Sequence, residues 1–165
     1  TPCGTLFPYT TLFRSPGARL LLVAAPFYRD IADGLIAGAR RAIGAAGAEA
    51  ELLEVPGALE IPVAIGFAHR AGAFDGYVAL GAVIRGETTH YETVCEESAR
   101  GVTLLGLDGA CIGNGVLTCE SRAQAEARAD PAGMDKGGGA AAAALHLIAA
   151  KRDRKSTRLN SSHYS

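Results

Sequence analysis

The apolar run Leu20-Leu21-Leu22-Val23-Ala24-Ala25 stops at Pro26, and from Asp30 onward Ile31, Leu35, Ala39, Ala42 and Ile43 recur at helical spacing. A strand, a loop and a helix are predicted in that order, since a short apolar run suits a strand and a 3.6-residue stripe suits one helix face. The unit then repeats: Leu52, Leu53 and Val55 end at Pro56-Gly57, and Ile61, Ile65 and Ala68 line a second helix that fades near Gly72. From Tyr77 to Ile84 the chain is apolar apart from Gly81, the pattern of a strand buried on both faces of a parallel sheet and expected at its centre. Tyr91, Val94, Cys95, Ser98, Ala99, Val102 and Leu105 trace one face of a third helix, with Glu92, Glu96, Glu97 and Arg100 on the other. Ala110 to Thr118 gives a fourth strand. A short helix over 121–129, a loop over 130–138 and an alanine-rich helix ending near Lys151 complete the pattern.

Strands alternating with helices predict an α/β fold with an open parallel sheet covered on both faces, and such sheets bind ligands outside the carboxyl ends of their strands. Four segments follow as places to look for chemistry: 26–29, 56–60, 85–90 and 114–120.

Composition narrows the classes. With 165 residues, 48% hydrophobic and 20% charged, the chain suits one domain with a core large enough to fold. A net charge of -1 argues against nucleic acid or an anionic membrane as partner, because both select a strongly basic face. No stretch reaches the roughly 20 apolar residues that cross a bilayer, and the start lacks the order of a signal peptide. Cys3, Cys95, Cys111 and Cys119 form no C-x-x-C pair and no zinc spacing with histidine. A reduced, cytoplasmic protein is expected, with Cys95, Cys111 and Cys119 as small core residues.

The ends differ from the middle. Residues 1–16 and 153–165 are rich in Ser, Thr, Pro and Arg without an apolar period, resemble translated adapter sequence, and are expected to lie outside the fold. The chain opens without methionine, so the native amino terminus is expected to be missing. Removing both ends leaves 12 basic against 16 acidic residues, a net of -4, so an anionic ligand would have to be held locally.

The segment Arg85-Gly86-Glu87-Thr88-Thr89-His90 sits where the longest buried strand hands over to a helix. Gly86 admits close approach, and amides around Glu87 and Thr88 at a helix amino terminus favour phosphate. His90 stands beside them, and imidazole, with a reference pKa near ~6.5, suits proton transfer at neutral pH. Local sequence leaves a blander reading open, with Thr88 or Thr89 as a cap and His90 as a surface histidine. Pro56-Gly57-Ala58-Leu59-Glu60-Ile61-Pro62 is open in the same way, as a ligand loop or as a turn before an acidic first helical turn. Arg128 and Lys136 are each placed to pair with phosphate or simply to be solvated. Gly137-Gly138-Gly139 lacks phosphate-loop spacing, and Gly113-Asn114-Gly115 lacks a third glycine for a dinucleotide fingerprint. His69 and His146 read as structural or exposed, and His163 falls in the atypical tail.

Val55 to Pro62, Ala79 to Tyr91 and Gly115 to Thr118, in that order and continuing through Asp135-Lys136-Gly137-Gly138, resemble the successive signatures of the lumazine synthase family. The resemblance spans residues 19–152, within a domain taken as 17–152. It implies a flavodoxin-like three-layer αβα sandwich with a four-stranded parallel sheet, assembled into homopentamers that in some members build an icosahedral shell. It implies condensation of 5-amino-6-(D-ribitylamino)uracil with 3,4-dihydroxy-2-butanone 4-phosphate, at sites between subunits, without metal or organic cofactor. One chain would contribute Phe27, stacked on the pyrimidine; Gly57, Ala58, Leu59 and Glu60, with Glu60 on the ribityl chain; and Ala82, Val83 and Ile84. It would also contribute Gly86, Glu87 and Thr88 for the phosphate and His90 as proton carrier. The neighbour would add Asn114, Arg128 and Lys136, the last two toward the phosphate. Riboflavin synthase is a candidate partner. The chain departs from the family pattern at Pro26, where many members have arginine, at Leu59, where many have an aromatic, and at Asn114, where many have phenylalanine. Changed pocket packing follows from these. Two other classes stay in view: a non-catalytic flavin or lumazine binder, and a ring or shell scaffold.

Overall fold

The computed structural model describes residues 14–161, with side chains to residue 156. Four strands, β1 (Arg19–Ala25), β2 (Glu49–Glu54), β3 (Gly76–Ile84) and β4 (Ile112–Cys119), alternate with helices α1 (Arg29–Ala45), α2 (Glu60–Ala71), α3 (His90–Leu107), α4 (Arg122–Ala129) and α5 (Lys136–Ser161). All strand pairs are parallel, in the order β2-β1-β3-β4. The fold is α/β and flavodoxin-like, with three layers.

Alternation along β1 divides the core. Leu20, Leu22 and Ala24 point to a cluster shared with Val78, Leu80, α1, α4 and α5, while Leu21, Val23 and Ala25 join Tyr77, Ala79, Ile61, Ile65 and Val102 on the α2 and α3 side. Successive strand side chains face opposite ways, so a strand apolar at every position fills both layers. Both β1 and β3 do this, and β3 therefore shares the interior with β1. The expected cover on both faces is incomplete at β2. None of its six residues is buried, and Leu52 and Leu53 are 37% and 41% exposed, because the helices lie over β1 and β3.

α5 packs closest. A Cβ on Gly113 would lie 1.8 Å from the Ala140 carbonyl oxygen, and one on Gly137 would lie 2.1 Å from that of Leu35. Backbone meets backbone at both places, which only glycine permits. The expected loop over 130–138 is accordingly shorter, since α5 starts at Lys136 and takes in Gly137 and Gly138. Asp135 starts that turn: its Oδ1 accepts the Gly138 amide at 3.1 Å and its carbonyl accepts the Gly139 amide at 2.9 Å.

The ends also differ from expectation. α5 runs on to Ser161 instead of stopping near Lys151; residues 151–156 are exposed, and Lys151, Arg152, Arg154 and Lys155 there are good helix formers. Two contacts tie its base down: Lys151 Nζ donates to the Gly109 carbonyl at 2.6 Å, and Arg152 lies 3.6 Å from Asp75. At the other end Ser15 is buried and its amide donates to the Ala46 carbonyl at 3.0 Å, so packing begins before residue 17. Residues 1–13, with Cys3, and residues 162–165, with His163, lie outside the described residues. Cys111 and Cys119 are buried and Cys95 is half-buried. Burial pushes all three thiols up, which keeps them protonated and unreactive. Among the described residues no helix is long and apolar enough to cross a membrane.

The close approach of α5 gives a paired prediction. Gly113→Ala should lower stability by about 1–3 kcal/mol or more through overpacking. Gly44→Ala, where a Cβ meets nothing within 4 Å, should raise it by about 0.4–1 kcal/mol. Denaturant midpoints for the two variants check this, and equal midpoints would contradict the packing described.

Candidate active site

The strand order places the chain reversal between β1 and β3: the connection from β1 leads to β2 on one side, and the next crosses back to β3. Open sheets of this kind bind ligands at that switch point, at the carboxyl ends. The register shapes the place. β1 pairs with β3 from Leu20 with Gly76 to Ala25 with Gly81, whereas β4 pairs with β3 as far as Ile84 with Cys119. Beyond Gly81 the β1-facing edge of β3 therefore has no strand partner. Ala82, Val83 and Ile84 are half-buried there, while the residues before them are buried, leaving a short shelf of free backbone edge.

Around the shelf stand the loops after β1, β2 and β3. Phe27 is 75% exposed, with its ring edge-on to Tyr28, 5.0 Å between centroids and 74° between planes; Tyr28 packs on the core and so anchors the loop. After β2, Ala58 and Leu59 are half-buried. Glu60 donates its amide to the Gly57 carbonyl at 3.2 Å. A Cβ on Gly57 would fall 2.9 Å from Glu60 Oε2, so the carboxylate folds back over the turn. After β3, Arg85 donates its amide to the Cys119 carbonyl at 2.9 Å, and residues 85–90 are exposed. Among the described residues nothing accepts a hydrogen bond from the Gly86, Glu87 or Thr88 amides, and Thr89, at the α3 cap, makes no side-chain cap bond. The His90 amide reaches Thr88 Oγ1 at 3.4 Å. His90, the first residue of α3, thus stands beside three unused donors at a helix amino terminus.

Phe27, Gly57 to Glu60, Ala82 to Ile84 and Gly86 to His90 therefore gather at one end of three adjoining strands. Asn114, Arg128 and Lys136 do not join them within the chain. Asn114 lies in the middle of β4 opposite Ala79 and accepts the Val116 amide at 3.0 Å. Arg128 is in the last turn of α4, donating to the Gln124 carbonyl at 3.0 Å. Lys136 opens α5 on the α1 side of the sheet. A cleft of about 360 Å³ lined by His69, Tyr77, Cys111 and Lys151 lies at the amino ends of β3 and β4, the opposite end from these loops. His69 there packs edge-on to Tyr77, 6.0 Å away. Among the described residues no group of three His, Cys, Asp or Glu side chains is placed to hold a metal ion.

Ion pairs that pattern reading did not assign form the rim. Arg29 bonds Glu54 at 2.6 and 3.2 Å, joining α1 to the end of β2. Arg122 bonds Asp30 and Glu126, joining α4 to α1. Arg85 bonds Glu120 at 2.6 and 3.2 Å and also Glu92, joining β3, β4 and α3. The one sequence signal was opposite charges in the first turns and strand ends, and it names no partners.

A parallel α/β sheet with an exposed histidine and unbonded amides at its switch point belongs to a class that binds ligands there, and comparison with known proteins narrows it. The family model for 6,7-dimethyl-8-ribityllumazine synthase matches residues 17–152. The 6,7-dimethyl-8-ribityllumazine synthase of Erythrobacter litoralis is 59% identical over 131 residues, 79% of this chain and 94% of that protein. Its namesake in Novosphingobium aromaticivorans is 57% identical over 132 residues, 80% and 95% of the two chains. That of a Jannaschia species is 54% identical over 134 residues, 81% and 75%. The chain belongs to the 6,7-dimethyl-8-ribityllumazine synthase family.

The rim sets a pH limit. Arg122 holds the Asp30 carboxyl below its ordinary 3.8, and Arg29 and Arg85 hold those of Glu54 and Glu92 below their ordinary 4.5. Each is more acidic folded than unfolded, so its stabilisation is complete above the ordinary value and is lost as pH falls below it, through the folded value. Denaturant midpoints should hold steady from pH 7 to about 5 as far as these groups act and fall below about 4.5. Arg29→Gln should flatten that acid limb; an unchanged limb would remove Glu54 from the account.

Proposed function

We propose that the chain condenses 5-amino-6-(D-ribitylamino)uracil with 3,4-dihydroxy-2-butanone 4-phosphate to give 6,7-dimethyl-8-ribityllumazine, the transferase reaction of its family in riboflavin biosynthesis. The observation that carries this beyond the family match is His90 standing next to the unbonded Gly86, Glu87 and Thr88 amides at the switch point. A proton carrier beside a phosphate cradle is what the reaction needs. The pyrimidine amine attacks the ketone and water leaves, phosphate is then eliminated, and the second amine closes the ring onto the remaining carbonyl with loss of a second water. Acid and base steps alternate, and one imidazole serves several of them.

In this reading Phe27 stacks on the pyrimidine, the free backbone edge of Ala82 to Ile84 bonds its polar rim, and Gly57 to Glu60 hold the ribityl chain. Arg128 and Lys136 reach the phosphate, and Asn114 lines the pocket, from a neighbouring subunit of a homopentamer. The absence, among the described residues, of any direct bond from these three to the His90 loop supports a shared site. So do the exposed Val63, Phe67, Leu104 and Leu107 of α2 and α3, since clustered exposed apolar side chains mark interfaces. Leu59 and Asn114 would repack the pocket without removing a reacting group. The family-matched residues 17–152 carry the domain, with Ser15 packed onto it; the compartment is assigned to the cytoplasm, and riboflavin synthase, which would consume the product, is the candidate partner. Larger shells of pentamers fit the same reading.

Two measurements test it. Lumazine absorbance and fluorescence should appear when the protein meets both substrates, and turnover should fall ~10²–10⁴-fold in His90→Ala with assembly intact. No product, with tight lumazine binding, would favour a binding protein instead. For the shared site, His90→Ala and Arg128→Ala proteins, each impaired alone, should regain activity when unfolded and reassembled together. No recovery would place the whole site within one subunit.

A further inference from the structure

We infer that Arg85 is the positioning residue of the site: it closes the His90 loop on itself and fastens it to the segment leading to Arg128. This rests on the reading of His90 and the Gly86 to Thr88 amides given above. The guanidinium is occupied on every side. Its Nε and Nη2 make a forked pair with Glu120, at 2.6 and 3.2 Å, and its Nη1 bonds Glu92 Oε1. The Tyr91 ring covers one face, 4.3 Å from centroid to Cζ. The bond to Glu92 spans seven residues of chain, and between its ends lie the exposed loop that carries the free amides and the start of α3 with His90.

Little else holds that loop. Its own internal tie is the long contact from the His90 amide to Thr88 Oγ1 at 3.4 Å, and Thr89 adds no capping bond. Tethered at Arg85 before it and at Glu92 after it, the loop is fixed at both ends by one planar group. On the other side, the Glu120 amide donates to Gln124 Oε1 at 3.0 Å, and the Gln124 carbonyl accepts from Arg128 Nη1 at 3.0 Å. One chain of bonds therefore runs from the His90 loop to Arg128. In a ring with sites between subunits, those two residues serve different sites, so Arg85 sits at the junction of two half-sites.

The pairs are exposed, with side chains 40–60% accessible, and such ion pairs add little to global stability. Their effect falls on placement, where a displacement of about 1 Å can cost ~10²-fold in rate. A lysine supplies one point charge and cannot fork to Glu120 while bonding Glu92.

The test uses the full chain, wild type against Arg85→Gln and Arg85→Lys. Expected for both variants are a kcat lowered roughly 10–100-fold, a raised KM for the sugar phosphate, an unchanged KM for the pyrimidine and a nearly unchanged unfolding midpoint. Amide hydrogen exchange at His90 and Thr93, whose amides donate to Thr88 Oγ1 and to the Thr89 carbonyl, measured without substrate, should speed up about tenfold while the strands keep their protection. Full rescue by lysine, or unaltered exchange in the loop, would overturn the proposal. A collapse of the unfolding midpoint with exchange rising throughout the sheet would also overturn it, making Arg85 a structural residue. If the wild type forms no lumazine, the reaction reading fails, and the exchange rates alone decide whether Arg85 holds the loop.

Discussion

The parallel pairing of β1 with β3 is the constraint on which the other features rest. Both strands are apolar at nearly every position, and their side chains alternate into the two layers of the core. That demand fixes the register of Leu20 with Gly76 through Ala25 with Gly81, because a slip of one residue would send each side chain to the wrong layer. The register then decides where β1 stops relative to β3. Three residues of β3 run on beyond Gly81 against β4 alone, and the shelf they form is the floor of the candidate site. The free backbone edge at this place is thus a by-product of filling the core, and the candidate site sits where the sheet has backbone to spare.

Much of this was legible in the chain. The strands and the first four helices follow the apolar periods to within a few residues, because both elements answer to burial and burial is written in the side chains. The places where reading failed have physical reasons. Gly137 and Gly138 read as loop because glycine is a poor helix former, yet the approach of α5 to Leu35 leaves no room for a side chain, and packing outweighs propensity. Gly113 and Gly115 fall in the expected fourth strand and outside any nucleotide fingerprint, but that both face Ala140 is a packing fact that spacing alone does not carry. The change of composition near residue 153 is real in the sequence but meets no break in the helix, since Lys, Arg and Asp on a solvated surface tolerate helix without needing a core.

The loops of the candidate site could be picked out for a different reason. The rule that ligands meet open sheets at the carboxyl ends of strands selects short segments from strand positions alone, and His90 and Glu60 fall inside them. Ion-pair partners had no such guide. Arg29 and Glu54 are 25 residues apart, Arg85 and Glu120 are 35 apart, and Asp30 and Arg122 are 92 apart. Opposite charges at those separations have many alternative partners until the sheet order is known.

The rim of arginines and the core divide the work between them. Apolar burial is non-directional and fixes strands and helices, but it cannot reach loops that must stay open to ligand. Past the last buried residue of each strand, a few apolar anchors such as Tyr28 and Ala58 are joined by directional bonds, and forked guanidinium pairs are the most orienting of these. Each pair is weak in water because it is exposed, so the rim cannot be there chiefly for stability. Its members join neighbouring elements in turn, α1 to β2, α4 to α1, and β3 to both β4 and α3. A loop held this way keeps its amides unbonded and its histidine accessible while losing its freedom to wander, which is what a preorganised site for an anion and a moving proton requires.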